Sequence, residues 1–464
     1  MTYFFETYGC QMNIAESAAA EQMFIARGWT KADDVQKADA VIINTCSVRA
    51  TAENRIFGRL GYFQGLKQLR SGDPKAKQKS LEVAAQYVKN GAKPLTVIVM
   101  GCMAERLLDS LKKDYPVIDY VVGTFAKGQF GKIIQEIETN SEPGELNDDI
   151  KYEFSSLSYE QGSFTSFVPI MHGCNNFCTY CIVPYVRGRE VSRNLNEILK
   201  ELDVLSGYGV KEITLLGQNV NSYHGYADGS DLDFPGLLTE ICRHLDKTKS
   251  SIEWVRFVSS HPKDLSERLI KVIAEENRLC HHIHLPVQHG SSRILKEMNR
   301  RYSREDYLAL VERIKKEIPD VSLTTDIMIG FPGETEQDVE LTLDLMKTVR
   351  YESAFMYYYN LRDGTPAATM ENQIDVEEKK SRLQKIIDLQ LVITSEEMAK
   401  RVGNVEKVLV QSVSRDNESE LLGKTQRDES VVFPCDKSMI GKFVNVKLDV
   451  LNGNTFRGTI VNRS

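Results

Sequence analysis

The chain has no apolar run of about 18 residues, so no segment reads as a membrane-spanning helix. Its first residues, Met1-Thr2-Tyr3-Phe4-Phe5-Glu6, lack the basic region and long apolar stretch of a secretory signal, which makes the cytoplasm the expected location. There is no Gly-x-Ser-x-Gly, no Walker loop and no His-Glu-x-x-His, so the common hydrolytic constellations are missing. A disulfide framework is equally out of keeping. Nine cysteines is an odd number, they are unevenly spaced, and 464 residues is far more chain than a stapled scaffold needs. That length implies two to four domains. Hydrophobic content of 42% and charged content of 27% are ordinary for a globular protein without a membrane part.

A net charge of −7 argues against nucleic acid as a partner until its distribution is read. Residues 398–464 carry 11 Lys and Arg against 8 Asp and Glu, and residues 49–79 carry 8 against 2. Basic patches on an acidic body can meet a phosphate backbone, although a solvated helix face explains the second patch about as well.

What is present in quantity is thiol. Cys174, Cys178 and Cys181 fall within eight residues, in His172-Gly173-Cys174-Asn175-Asn176-Phe177-Cys178-Thr179-Tyr180-Cys181. Three thiolates in a short loop suit a soft metal centre. Three are too few for a closed tetrahedral zinc site. They are right for a cubane iron–sulfur cluster with one open iron.

Residues 1–125 read as an open parallel sheet, with strands at Tyr3–Tyr8, Ala40–Thr45 and Leu95–Gly101, a helix at Ala15–Arg27 and a helical excursion over 70–94. Cys10, Cys46 and Cys102 each stand just past the carboxyl end of a strand, the edge where such sheets bind ligands, and are expected to share a second metal site. Cys242, Cys280 and Cys435 take the bland reading of core thiols. Residues 126–160 read as a linker.

Residues 161–395 repeat a strand–loop–helix rhythm. Strands are expected at 166–171, 211–216, 253–258, 281–285, 321–329 and 353–359, and helices at 194–206, 235–246, 265–276, 303–317 and 335–349. This is a partial (β/α)6 barrel with polar and glycine residues crowding the loops after its strands. His281, His282, His284 and His289 could gather a metal near the fourth strand, but hydrogen bonding within the barrel mouth is the stronger reading. Residues 398–464 turn to five short strands with positive charge, a small OB-like barrel of the kind that often binds nucleic acid.

These motifs bring a resemblance. Cys-x3-Cys-x2-Cys in the first barrel loop is similar to the radical S-adenosylmethionine (SAM) superfamily. Tyr8-Gly9-Cys10-Gln11-Met12-Asn13, Asn44-Thr45-Cys46-Ser47-Val48-Arg49 and Met100-Gly101-Cys102-Met103-Ala104 resemble the methylthiotransferase family. The string from Gly173 to Glu190, with Ile182-Val183-Pro184-Tyr185-Val186-Arg187-Gly188-Arg189, resembles its tRNA-modifying MiaB branch, and the carboxyl domain resembles a TRAM domain. The resemblance covers nearly the whole chain.

It implies a tRNA methylthiotransferase that adds a methylthio group at C2 of N(6)-dimethylallyladenosine 37. Two SAM molecules are implied, one as methyl donor and one as the source of a carbon radical. So are two [4Fe-4S] clusters. Cys174, Cys178 and Cys181 would hold the radical cluster, and Cys10, Cys46 and Cys102 the auxiliary cluster. Tyr180, Gly217, Gln218, Ser259, His284, Gly330 and Arg193 would be cofactor contacts. Arg187 and Arg189 would meet cofactor carboxylate or RNA phosphate, and Glu53, Asn54 and Arg55 the shared chamber. The implied partners are tRNA and a one-electron reductant such as flavodoxin, no membrane, and a monomeric state. His289 replaces a usual serine, and Asn360-Leu361-Arg362-Asp363-Gly364-Thr365 departs from the usual Ser-x-Arg-x-Gly-Thr, so substrate contacts are less secure than ligands. A ribosomal-protein aspartate or threonylcarbamoyladenosine are the alternative substrates. From another class, a non-catalytic zinc-dependent RNA-binding protein stays open.

Overall fold

The structure is a computed structural model. It describes residues 1–47, 50–71, 94–144, 146, 152–227 and 229–461. Val48, Arg49, the side chain of Asn54 and the expected excursion beyond Ser71 lie outside the described residues. The chain divides into two compact units, Met1–Cys174 with Ile182–Arg193, and Asn175–Cys181 with Asn194–Ser464.

In the first unit, β1 (Thr2–Tyr8), β2 (Thr30–Lys31), β3 (Ala40–Thr45), β4 (Thr96–Gly101) and β5 (Tyr120–Val122) form a parallel sheet in the order β2-β1-β3-β4-β5. Every residue of β3 is buried, because successive side chains point to opposite faces and both faces are covered. Val41, Ile43, Val97 and Val99 pack on Ile56, Leu60 and Phe63 of the helix Ala50–Arg70. Ile42, Ile98 and Met100 pack on Phe24 of the helix Gln11–Ala26 and on Phe130, Ile133 and Ile134.

Those last three residues correct the sequence reading. The expected linker 126–160 contains a helix, Phe130–Thr139, whose i, i+3, i+4 apolar spacing closes one face of the sheet. The glycine and acidic residues that follow it masked that short period. The same unit holds β6 (Thr165–Pro169) and a two-residue antiparallel pair, β7 (Met171–His172) with β8 (Val191–Ser192). That pair pins both ends of the stretch carrying the three-cysteine motif.

In the second unit β9 (Glu212–Leu216) is followed by the hairpin β10 (His224–Ala227) and β11 (Ser230–Asp233), then β12 (Trp254–Phe257). β13 (His282–His284), β14 (Ser322–Ile329) and β15 (Ser353–Tyr358) come next. β9 and β12 pair in parallel, β13, β14 and β15 pair in parallel, and a parallel bridge from Val255 to Leu279 leads from one group towards the next. β9, β12, β13, β14 and β15 are five parallel repeats of a partial barrel within this unit. Helices fill the intervals at Leu195–Gly207, Phe234–Lys247, Glu267–Glu275, Arg304–Glu317 and Glu336–Val349. Their starts are set by caps: Asn194, Asp233, Ser266 and Ser303 each accept a backbone N–H of the first turn. The sequence reading passed over the helix Val376–Ala399.

Five strands close the chain: β16 (Val405–Val413), β17 (Glu420–Thr425), β18 (Ser430–Pro434), β19 (Phe443–Asn452) and β20 (Thr455–Ile460). They form a closed barrel in the order β16-β17-β18-β20-β19 around Val408, Val410, Leu421, Phe433, Leu448 and Phe456. It is bound to the larger barrel through Arg256 of β12. Arg256 Nε donates to Glu212 Oε2 at 2.8 Å, and its other nitrogens donate to the carbonyls of Gln426 at 2.8 Å and Thr425 at 2.7 Å.

Candidate metal and cofactor centres

The register of the first sheet places the strand-end thiols Cys10, Cys46 and Cys102. Tyr8 pairs with Thr45 and Thr45 with Gly101, so Cys46 and Cys102 follow neighbouring strand ends directly and Cys10 follows one residue later. Amides tie these ends together. Asn13 Nδ2 donates to Asn44 Oδ1 at 2.8 Å and to the Thr45 carbonyl at 3.1 Å. Asn44 Nδ2 returns a bond to the Asn13 carbonyl at 2.8 Å. Gly101 closes the set, with φ +96° and no room for a Cβ, which would lie 2.5 Å from Asn44 Oδ1 and the Thr45 carbonyl oxygen.

Cys10 is exposed at the start of the helix Gln11–Ala26, and its thiol donates to Asn13 Oδ1 at 3.3 Å. Cys46 and Cys102 are buried. Burial raises the Cys102 thiol above its ordinary range, against the pull of Arg187. Arg187 Nε donates to Cys102 Sγ at 3.1 Å. The same guanidinium donates to Glu16 Oε1 at 2.7 Å and approaches His172 Nδ1 at 3.4 Å. Lys127 pairs with Glu16 from another side. Burial opposes ionisation of Glu16, but Arg187 and Lys127 outweigh it and hold the carboxyl down at about 2. His172 stacks on Tyr152 at 3.6 Å, and burial beside two cations holds its imidazole well below its ordinary value.

The donor set suits a cluster better than a lone ion. Thiols are soft ligands. Thiols on three neighbouring strands start from positions spread over about 10 Å of sheet, whereas a tetrahedral zinc draws thiolates in on arms of about 2.3 Å. Among the described residues no three His, Cys, Asp or Glu side chains are gathered for a single metal ion.

In the second unit the segment Asn175–Cys181 is fixed by the turn after the helix Ser292–Glu297. Asn299 Nδ2 donates to the carbonyls of Asn176 at 3.2 Å and Phe177 at 3.0 Å, and the Thr179 N–H donates to the Met298 carbonyl at 3.1 Å. Phe177 sits at φ +49°, a conformation these bonds impose. Arg300 is buried and donates to Cys178 Sγ at 3.4 Å, Tyr180 Oη at 3.5 Å and the Pro286 carbonyl at 2.9 Å. The Asn299-Arg300-Arg301-Tyr302 run was in plain view in the sequence but carries no motif, so Arg300 was missed. Glu16, Lys127 and Tyr152 were missed for the same reason.

The other expected contacts distribute as follows. Gly217 and Gln218 follow β9. Ser259 follows β12 at φ +70°, and its carbonyl accepts the Val220 N–H at 3.2 Å. His284 ends β13, with Nδ1 against Thr324 Oγ1 at 3.0 Å and Nε2 3.5 Å from Asp326. Gly330 follows β14 at φ +74°, and its N–H donates to Glu334 Oε2 at 2.8 Å. Arg193 lies in the first unit, 2% exposed, and its guanidinium donates to the carbonyls of Pro169 at 3.3 Å and Ser155 at 3.0 Å. Of the residues named around Cys46, Glu53 is engaged by Arg106 at 2.8 Å. The four histidines do not converge. His281 meets Asp320, His282 and His284 meet Thr324, and His289 Nε2 meets buried Glu334 at 3.0 Å.

One unforeseen histidine gives a pH prediction. His261 Nδ1 accepts the Lys263 N–H, Nε2 is buried without a partner, and burial, with Arg300 second, pulls the imidazole down to about 2. The unfolded chain protonates it near pH 6.5. This contribution to stability is therefore complete above about pH 7 and is lost as pH falls below 6.5. At pH 5 the loss is up to about 2 kcal/mol. Denaturant midpoints at pH 7.5 and 5.0 should separate in the parent and draw closer in His261→Gln. An equal separation in both would contradict the assignment.

Comparison with known proteins agrees with this layout. Residues 168–346 match the Radical SAM superfamily, residues 399–461 the TRAM domain, and residues 2–73 the family described as Uncharacterized protein family UPF0004. The tRNA-2-methylthio-N(6)-dimethylallyladenosine synthase of Treponema pallidum (strain Nichols) is 52% identical over 99% of this chain and 99% of its own. Its namesake in Treponema denticola is 50% identical over 99% and 100%, and that of Clostridium tetani 43% over 96% and 93%. Among solved structures, the radical S-adenosylmethionine methyltransferase TsrM of Kitasatospora setae aligns with a TM-score of 0.56 at 13% identity, covering 79% of this chain and 75% of that one, a likeness of fold alone. Identity of this order from end to end places the chain in the family of tRNA-2-methylthio-N(6)-dimethylallyladenosine synthases, within the radical SAM superfamily.

Proposed function

We propose that the protein is a tRNA methylthiotransferase acting at C2 of N(6)-dimethylallyladenosine 37. The observation that carries this reading is the second thiol trio. A radical SAM barrel needs one cluster, and Cys10, Cys46 and Cys102 at three adjacent strand ends offer a place for another. Cys174, Cys178 and Cys181 would hold the radical cluster, and the strand-end trio the auxiliary cluster. Loaded in this way, the two centres would supply one-electron cleavage of SAM and a sulfur donor.

The chain's own residues do the rest. The Asn299 and Met298 contacts fix the backbone of the segment Asn175–Cys181. Arg300 keeps a buried positive charge beside Cys178 and orients Tyr180, whose ring is half-buried and available to an adenine. Gly217, Gln218, Ser259, His284 and Gly330 offer backbone and polar groups after successive strands, the edge at which barrels of this kind bind ligands. The closed carboxyl-terminal barrel, with its excess of Lys and Arg, would take the tRNA backbone. A one-electron protein reductant such as flavodoxin is required by the chemistry, and we take the active species to be a monomer. Among the described residues no helix is long and apolar enough to cross a membrane.

Nucleoside analysis of tRNA from a strain lacking the gene tests the substrate. The methylthio-dimethylallyl nucleoside should disappear and its unthiolated precursor accumulate. Unchanged levels would overturn the assignment.

A further inference from the structure

Arg187 is fully buried in the first unit, 2% exposed, at the end of the short helix Val183–Arg187. It makes three separate commitments. Nε donates to Cys102 Sγ at 3.1 Å, the Nη atoms fork onto the Glu16 carboxylate at 2.7 and 3.3 Å, and Nη1 lies 3.4 Å from His172 Nδ1. Glu16 already has a second cation in Lys127. Two buried cations against one buried carboxylate leave a positive charge in excess, and an uncompensated buried charge is costly. The group placed to supply the missing negative charge is the sulfur at the end of the Nε–H bond, provided it is a thiolate, the form that binds metal.

We propose that Arg187 is a positioning residue for the cluster held by Cys10, Cys46 and Cys102, donating Nε–H to the Cys102 sulfur and raising that cluster's reduction potential. A donor to a ligating sulfur spreads its negative charge and favours the reduced, more negative state. Glu16 and His172 hold the guanidinium plane so that Nε, and not an Nη, faces the sulfur. This inference rests on the assignment of the auxiliary cluster to that trio.

The full-length chain with Cys174, Cys178 and Cys181 all changed to Ala isolates the auxiliary cluster. Reconstituted anaerobically, it should hold about four irons per chain, as one four-iron cluster requires. If it holds none, the assignment of the trio fails, and that result is distinct from those below. Adding Arg187→Lys keeps the charge but not the planar fork that serves sulfur and carboxylate together. Iron and sulfide should stay unchanged while the midpoint in an EPR-monitored redox titration moves to lower potential. An unmoved or raised midpoint at full iron content overturns the proposal. A second reading does not depend on the variant's folding. The triple-alanine protein grown on 15N-arginine should show a nitrogen coupling to the reduced cluster in pulsed EPR, and no coupling overturns the proposal.

Discussion

Replacing Cys10 with alanine should leave SAM cleavage at the parent rate and reduce the methylthio nucleoside by about 1,000-fold or more. The loss is that large because the sulfur-donating chemistry belongs to the cofactor and no side chain can stand in for it. Cys10 is the cleanest member of its trio to change. It is exposed, and among the described residues its thiol bonds to Asn13, so alanine removes the thiol without opening a cavity. Asn13 keeps its bonds to Asn44 and Thr45, which hold the strand ends together. Cys178→Ala should behave differently and abolish both cleavage and product. Anaerobic assays that quantify 5′-deoxyadenosine and modified nucleoside in the same reaction separate the two variants. Loss of cleavage in a well-folded Cys10→Ala protein would contradict the division of labour between the trios.

Arg256→Ala should cost about 3–5 kcal/mol, the range for breaking a buried ion pair by removing one partner. Arg256 is 7% exposed and Glu212 8%, and the arginine also satisfies the carbonyls of Thr425 and Gln426 at the end of β17. Alanine leaves the Glu212 carboxylate buried alone and the Gln426 carbonyl short of a donor, while the Thr425 carbonyl keeps the Asp428 N–H. The carboxyl-terminal barrel should loosen first, since Arg256 is one of its main fastenings, although Lys407 with Glu253 and Gln426 with the Leu279 carbonyl remain. Limited proteolysis should then cut between Ala399 and Val405, and the denaturant midpoint should fall. The double variant Arg256→Met with Glu212→Gln should recover part of the loss because no lone charge remains. A single variant within about 1 kcal/mol of the parent would show that the pair contributes little here.

Strands buried on both faces were easy to read. Ala40–Thr45 is a continuous apolar run, and the structure returns it with the same limits. The cysteines stood out for a different reason: Cys174, Cys178 and Cys181 are close in sequence, and Cys10, Cys46 and Cys102 each follow an apolar strand run, signals that survive any uncertainty about where a helix ends. The helix Phe130–Thr139 was not legible, because its apolar stripe is only four residues, Phe130, Ile133, Ile134 and Ile137, and is followed by residues that signal a turn. The supports of the two centres were hidden more deeply. Arg187, Glu16 and Lys127 meet across more than a hundred residues of sequence, and nothing local marks any of them as partners. Asn13 and Asn44 stood in recognised strings without a role. The amide ladder that gives them one exists only when two strands lie side by side.

The sheet register has a consequence for how such a site can vary. Cys10, Cys46 and Cys102 are spaced by strands, not by sequence, so the sheet acts as a ruler for the three thiols. The connection between β2 and β3 can grow or shrink without moving a sulfur, because its ends are anchored by the Ala32 N–H on the Tyr3 carbonyl and the Asp39 N–H on the Thr2 carbonyl. A single deletion inside Ala40–Thr45 or Thr96–Gly101 has the opposite effect. It carries a thiol to the other face of the sheet and ends the site at once. Tolerance to insertion in this protein is therefore a map of the ruler: wide in the connections and zero along three short strands.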